Sequence, residues 1–168
     1  MGIRPLGRRG RVVAGVVVAG LVVGTLLVVR EVNSLDFGVR SADRADDPAC
    51  ARIAGGYPSG LGGERRESVS TPGVAVWGGG AVVLRCGLEP PAPTVDACVD
   101  VDDVDWVWRE KTGADRVLVT YGRNPAVEIR ISDRVTAVDD VLVRLSAAVR
   151  PIRQTAKCIG EDDVPALR

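Results

Sequence analysis

The sequence predicts an α+β domain held outside a membrane by a single N-terminal helix, and three observations lead there. An uncharged run of 18 residues lies close to the N-terminus, and four cysteines lie beyond it. Past the run, short stretches of period-two hydrophobicity give way to one stretch of helical period. Strands first and a long helix last mark an antiparallel sheet with helices segregated to one face.

The run from Val12 to Val29 is apolar apart from the hydroxyl of Thr25. At 1.5 Å per residue it spans roughly 27 Å, against a hydrocarbon core of about 30 Å. Arg4, Arg8, Arg9 and Arg11 precede it, so residues 1–11 form a basic cytoplasmic tail and the remainder faces outward. A signal peptide would have a shorter apolar core with a small-x-small site behind it, which Arg30-Glu31-Val32-Asn33 does not offer. The segment reads as an uncleaved anchor over 12–29 in the cell membrane. Gly20 and Gly24 stand at the spacing that lets two such helices approach, which makes a homodimer one possible partnership. Residues 30–46 are polar and aperiodic and read as a flexible tether.

The extracytoplasmic domain is expected over 47–159. Asp47-Pro48 opens a short helix, with Asp as N-cap and Pro in the first turn, and Gly55-Gly56 closes it. Residues 57–63 read as a loop and 65–67 as extended chain. Val74–Trp77 is a strand, Gly78–Gly80 its turn and Ala81–Cys86 the returning partner. The prolines between Glu89 and Pro93 interrupt the sheet. With Asp102-Asp103 as a two-residue hairpin turn, Val99, Val101, Val104, Trp106 and Trp108 share one face, and Asp100 lies opposite Asp105 on the other. Arg116–Tyr121 and Ala126–Ile131 form a further strand pair. From Thr136 to Val149 the stripe Val138, Val141, Leu142, Leu145, Val149 has helical period, and Pro151 ends it. Residues 160–168 read as a frayed tail.

Composition narrows the chemistry. Residues 1–30 hold five Arg and no acid, which leaves 17 basic against 22 acidic residues for the remainder. A mildly acidic domain does not suit nucleic acid, whose phosphates need a basic face. Histidine is absent, which removes nucleophile–His pairs and His-containing zinc sites. No cofactor is expected.

An even cysteine count in an exported domain reads as disulfides, and four cysteines allow three pairings. The pairing favoured here is Cys86–Cys98, across the proline turn, with Cys50–Cys158, tying the first helix to the end of the last. The spacing contains no Cys-x-x-Cys and no zinc-knuckle pair.

The N-terminal span, Cys50, Trp77-Gly78, Val83-Leu84-Arg85-Cys86-Gly87, Cys98, Val104-Asp105-Trp106, Tyr121-Gly122-Arg123 with Pro125, and Cys158 together resemble an actinobacterial membrane-anchored family, domain of unknown function 3515. The resemblance covers about residues 10–158. It implies a membrane-anchored or secreted protein without an established activity, and Asn-Gly where this chain has Asp102-Asp103, which supports the hairpin.

Candidate sites follow from charges in unusual places. Arg85 breaks an apolar strand and must pair or reach solvent; Asp105 is the expected partner. Arg123, in a tight turn with Tyr121 and Pro125, could take an anionic group of a cell-envelope ligand. Arg85, Asp105, Tyr121 and Arg123 are therefore the ligand-binding candidates. Asp100, Asp102 and Asp105 are the metal candidates, since Ca²⁺ takes several carboxylate oxygens. Trp77 and Trp106 are expected in the core, with Trp108 at a strand end. The resulting expectation is a non-catalytic accessory module that binds an envelope protein or cell-wall ligand. The alternative is a small extracytoplasmic hydrolase or metal-dependent enzyme built on the Asp100–Asp105 cluster.

Overall fold

The computed structural model describes residues 37–109 and 113–159. Helix α1 (Pro48–Ala54) starts as its sequence dictates: the Asp47 side chain accepts from the Ala49 N–H at 2.9 Å, and Pro48 follows the cap. Its inward residues, Cys50 and Ile53, are three apart and buried. The segment read as loop and extended chain instead contains a miniature hairpin. Strands β1 (Gly60–Leu61) and β2 (Glu64–Arg65) pair across Gly62-Gly63, with Leu61 as the anchor in the core. Two-residue strands show no alternation, so periodicity cannot find them.

Six strands make the main sheet: β3 (Val74–Trp77), β4 (Val82–Leu88), β5 (Cys98–Val101), β6 (Val104–Arg109), β7 (Arg116–Thr120) and β8 (Ala126–Ile131). Their spatial order is β3-β4-β8-β7-β6-β5, with every pair antiparallel. The Gly78–Gly80 turn and the β5–β6 hairpin lie where the sequence puts them. Asp102 and Asp103 have φ of 51° and 62°, Val101 faces Val104, and Asp100 faces Asp105. Both turn residues have the positive φ that a type I′ turn requires.

One face of the sheet receives helix α2 (Val138–Val149), whose residues Val141, Leu142, Leu145 and Val149 are buried on the expected stripe. Opposite them lie Leu84, Ile129, Leu118 and Trp106, in one continuous apolar core. Trp77 and Trp106 are fully enclosed, and each satisfies its indole N–H: Trp77 on the Pro58 carbonyl and Trp106 on the Ser146 hydroxyl, both at 2.9 Å. Trp108 is half-buried at the rim of the same core. The α+β architecture is thus the predicted one.

Two expectations need correction. The first concerns the tether. Of residues 30–46, the described part, 37–46, lies against the sheet rather than free of it: Arg44 N–H donates to the Gly87 carbonyl at 3.1 Å, and Ala45 is buried. Gly87 sits at a register shift in β4 with φ of 104°, and a Cβ there would collide with the backbone of Arg44 and Ala45. Only glycine admits that approach.

The second concerns the cysteines. The bonds are Cys50–Cys86 and Cys98–Cys158, with Cα separations of 5.7 and 6.4 Å, in place of Cys86–Cys98 and Cys50–Cys158. Strand order explains it. β4 and β5 are four strand spacings apart, roughly 19 Å, whereas a disulfide needs Cα atoms within about 7 Å. Cys86 also points into the core beneath α1, while Cys98, opposite Val107, points to the other face.

Among the described residues no helix is long and apolar enough to cross a membrane. The expected span 12–29, with Gly20 and Gly24, and the tail 160–168 lie outside the described residues.

Candidate functional site

Asp105 and Arg123 come together, as a clasp on the C-terminal segment. Asp105 projects from β6 on the face away from α2 and is only 4% exposed. Its Oδ2 accepts from Gln154 Nε2 at 2.8 Å and from the Cys158 backbone N–H at 2.7 Å. Arg123, in the β7–β8 turn, is 2% exposed. It donates to the carbonyls of Arg150 at 3.1 Å, Asp103 at 2.6 Å and Ile152. Backbone pairing of Arg123 with Gln154, and of Thr155 N–H with the Gly122 carbonyl at 2.7 Å, lays residues 153–158 along the turn like a short strap. Gly122 has φ of 67°, and a Cβ there would overlap the backbone of Ala156.

Burial pushes the Arg123 guanidinium below its ordinary pKa, and the Asp105, Asp103 and Asp100 carboxylates push back. This arginine is the cation that tolerates Asp100 opposite Asp105, a cross-strand like-charge pair that would otherwise cost stability. Asp105 Oδ2 and both Arg123 Nη atoms thus make their hydrogen bonds within the protein, while Arg123 Nε is buried without a partner. Tyr121 lies beside the strap, lining a small cavity of about 140 Å³ with Val107, Lys157 and Ile159.

Asp105 is not the partner of Arg85. β4 and β6 are separated by β8 and β7, and the residue directly across from Arg85 is Glu128. Arg85 Nη1 meets Glu128 Oε1 at 3.1 Å, and Arg85 Nε donates to the Arg40 carbonyl at 3.0 Å. These groups line an open cavity of about 280 Å³ with Val83, Arg130 and the chain from Gly38 to Arg40. Arg130 sits beside Glu128 on β8, its Nε 3.7 Å from Asp115 Oδ2. Arg85 is thus the one ligand candidate whose guanidinium borders open space, with 28% of its side chain exposed.

The metal candidates Asp100, Asp102 and Asp105 do not converge. Asp102 is at the tip of the turn, Asp105 is committed to the strap, and among the described residues no three acidic, cysteine or histidine side chains are placed to hold an ion.

Sequence reasoning missed Arg40, Glu128, Arg130 and Gln154. Glu128 and Arg130 alternate with Val127, Ile129 and Ile131, so their shared face was readable; that this face continues onto β4 was not.

A family model for proteins of unknown function, DUF3515, matches residues 11–158. The chain belongs to this family. No curated protein and no solved structure matches it. The DUF3515 match ends at Cys158, the last residue tied into the strap, and so takes in both the clasp and the arginine-lined cavity.

Proposed function

We propose that this DUF3515 chain is a single-pass cell-envelope protein, anchored through residues 12–29 with its N-terminus in the cytoplasm, whose extracytoplasmic domain binds a ligand or partner without transforming it. The observation that carries this reading is the state of the cysteines: all four are joined in two disulfides that lock elements distant in sequence. Such bonds persist in oxidising compartments and are rare in the cytosol. The arginines ahead of the apolar run agree with the same orientation. The binding surface in this reading is the Arg85 cavity. Arg85 stands in a strand otherwise buried nearly throughout, where an apolar residue would pack with no charge to satisfy.

Protease treatment of intact spheroplasts tests the topology. The domain is expected to be digested while a cytoplasmic marker survives, and the fragment spanning 12–29 to remain in the membrane after alkaline carbonate extraction. A domain protected until the membrane is ruptured contradicts the proposal.

A further inference from the structure

The Arg85 cavity has a charge pattern that specifies a ligand class. Its walls come from three separate pieces of chain: β4, β8 and the segment before α1. Each contributes one arginine, Arg85, Arg130 and Arg40, against the single carboxylate of Glu128. Glu128 is committed to Arg85 at 3.1 Å and is itself only 14% exposed, so it fixes that guanidinium in place. The Arg40 carbonyl holds Arg85 from the other side, and Arg40, an exposed residue, is part of the cavity wall. Arg130 is 38% exposed, and its 3.7 Å approach to Asp115 is longer than a hydrogen bond. Like charges gathered around one concavity repel, and the arrangement is relieved by an anion among them.

We propose that this cavity is a binding site for a phosphate monoester, held by Arg130 and Arg40 with Arg85 behind them. The proposal rests on the reading of the domain as a binding module. Guanidinium groups offer planar forks of N–H donors that match phosphate oxygens, often two at a time. Three guanidinium groups stand against Glu128 on Arg85 and Asp115 beside Arg130, an excess of one positive charge. The preference for phosphate rests on its three acceptor oxygens, which several guanidinium forks can share. The cavity volume of about 280 Å³ accepts the phosphate group while the rest of the molecule remains outside.

The test uses the full chain in nanodiscs of phosphatidylcholine, titrated with inorganic phosphate at constant ionic strength and read by calorimetry. Saturable binding is expected, with acetate at least tenfold weaker. Arg130→Gln and Arg40→Gln should each weaken phosphate about tenfold or more, while Arg52→Gln, which removes the same charge from the exposed side of α1, should not. Both cavity variants alter partly exposed side chains, and unchanged thermal unfolding establishes that they are folded. A flat titration, acetate equal to phosphate, or equal losses in all three variants overturns the proposal.

Repeating the titration with phosphatidic acid in the nanodiscs separates two sources of the same chemistry. Competition with added phosphate identifies a lipid headgroup, and undisturbed affinity identifies a soluble or glycan-borne phosphate. A flat titration with a protease-accessible domain sinks the ligand class alone. A protease-protected domain sinks the topology and leaves the titration standing.

Discussion

At the scale of single residues, the centre of the molecule is the Asp105 carboxylate. One oxygen accepts from both Gln154 and the Cys158 backbone, and the same charge offsets the buried Arg123. Asp105→Ala leaves donors without an acceptor and removes the largest of the counter-charges on a buried cation. Hydrogen bonds to charged groups contribute about 1.5–3 kcal/mol each, so a loss of about 2–3 kcal/mol is expected in urea unfolding, and less for Asp105→Asn. Arg123→Lys should also destabilise, because one ammonium cannot span the carbonyls of Asp103, Arg150 and Ile152. The sequence shows Asp105 and Arg123 as charges in odd places. It does not show that they meet, because the strap joining them has no periodicity and no turn motif.

At the scale of elements, the sequence is most readable where local chemistry decides. Asp47-Pro48 caps α1 and the Asp-Asp turn forms through interactions spanning a few residues, and the helical period of α2 marks the stripe that it buries against the sheet. The turn keeps two non-glycine residues in the left-handed region, a conformation costing roughly 1–2 kcal/mol per residue when the side chain gains nothing locally. Replacing Asp102-Asp103 with Asn-Gly should raise stability by about 1 kcal/mol, measured by urea unfolding, and leave the Asp100–Asp105 register unchanged by amide NMR. Acid should act on the helix ends. The Ala49 N–H and then the Arg44 guanidinium hold the Asp47 carboxyl below its ordinary value of 3.8, and the Arg144 guanidinium does the same for Asp140. Folded pKa values below the unfolded ones mean that this stabilisation is complete above the unfolded value and is lost as pH falls through the folded one. The melting temperature should therefore drop below about pH 4, and less steeply in Asp47→Ala, which starts lower at pH 7. The β1–β2 hairpin escaped reading because Leu61 alone anchors it.

At the scale of the whole molecule, one non-local event organises everything: β4 pairs with β8 rather than with its sequence neighbour β5, which lies at the far edge. Local patterns carry no information about this pairing. It brings Glu128 to Arg85, keeps Asp105 away from both, and separates Cys86 from Cys98. The disulfides then close loops of 36 and 60 residues. The chain-entropy model gives an upper value of about 4 kcal/mol for each. The Cys50–Cys86 bond secures α1 to the sheet, and Cys98–Cys158 secures the strap that Asp105 and Arg123 hold by hydrogen bonds.

The proposed export of the domain and the topology of its sheet are tested most directly by peptide mapping. Membranes are prepared with free thiols alkylated before lysis, and the protein is digested without reduction. Linked peptides containing Cys50 with Cys86 and Cys98 with Cys158 are expected, with no alkylated cysteine. Alkylated cysteines would contradict the oxidising compartment, and a Cys86–Cys98 link would contradict the strand order on which both sites depend.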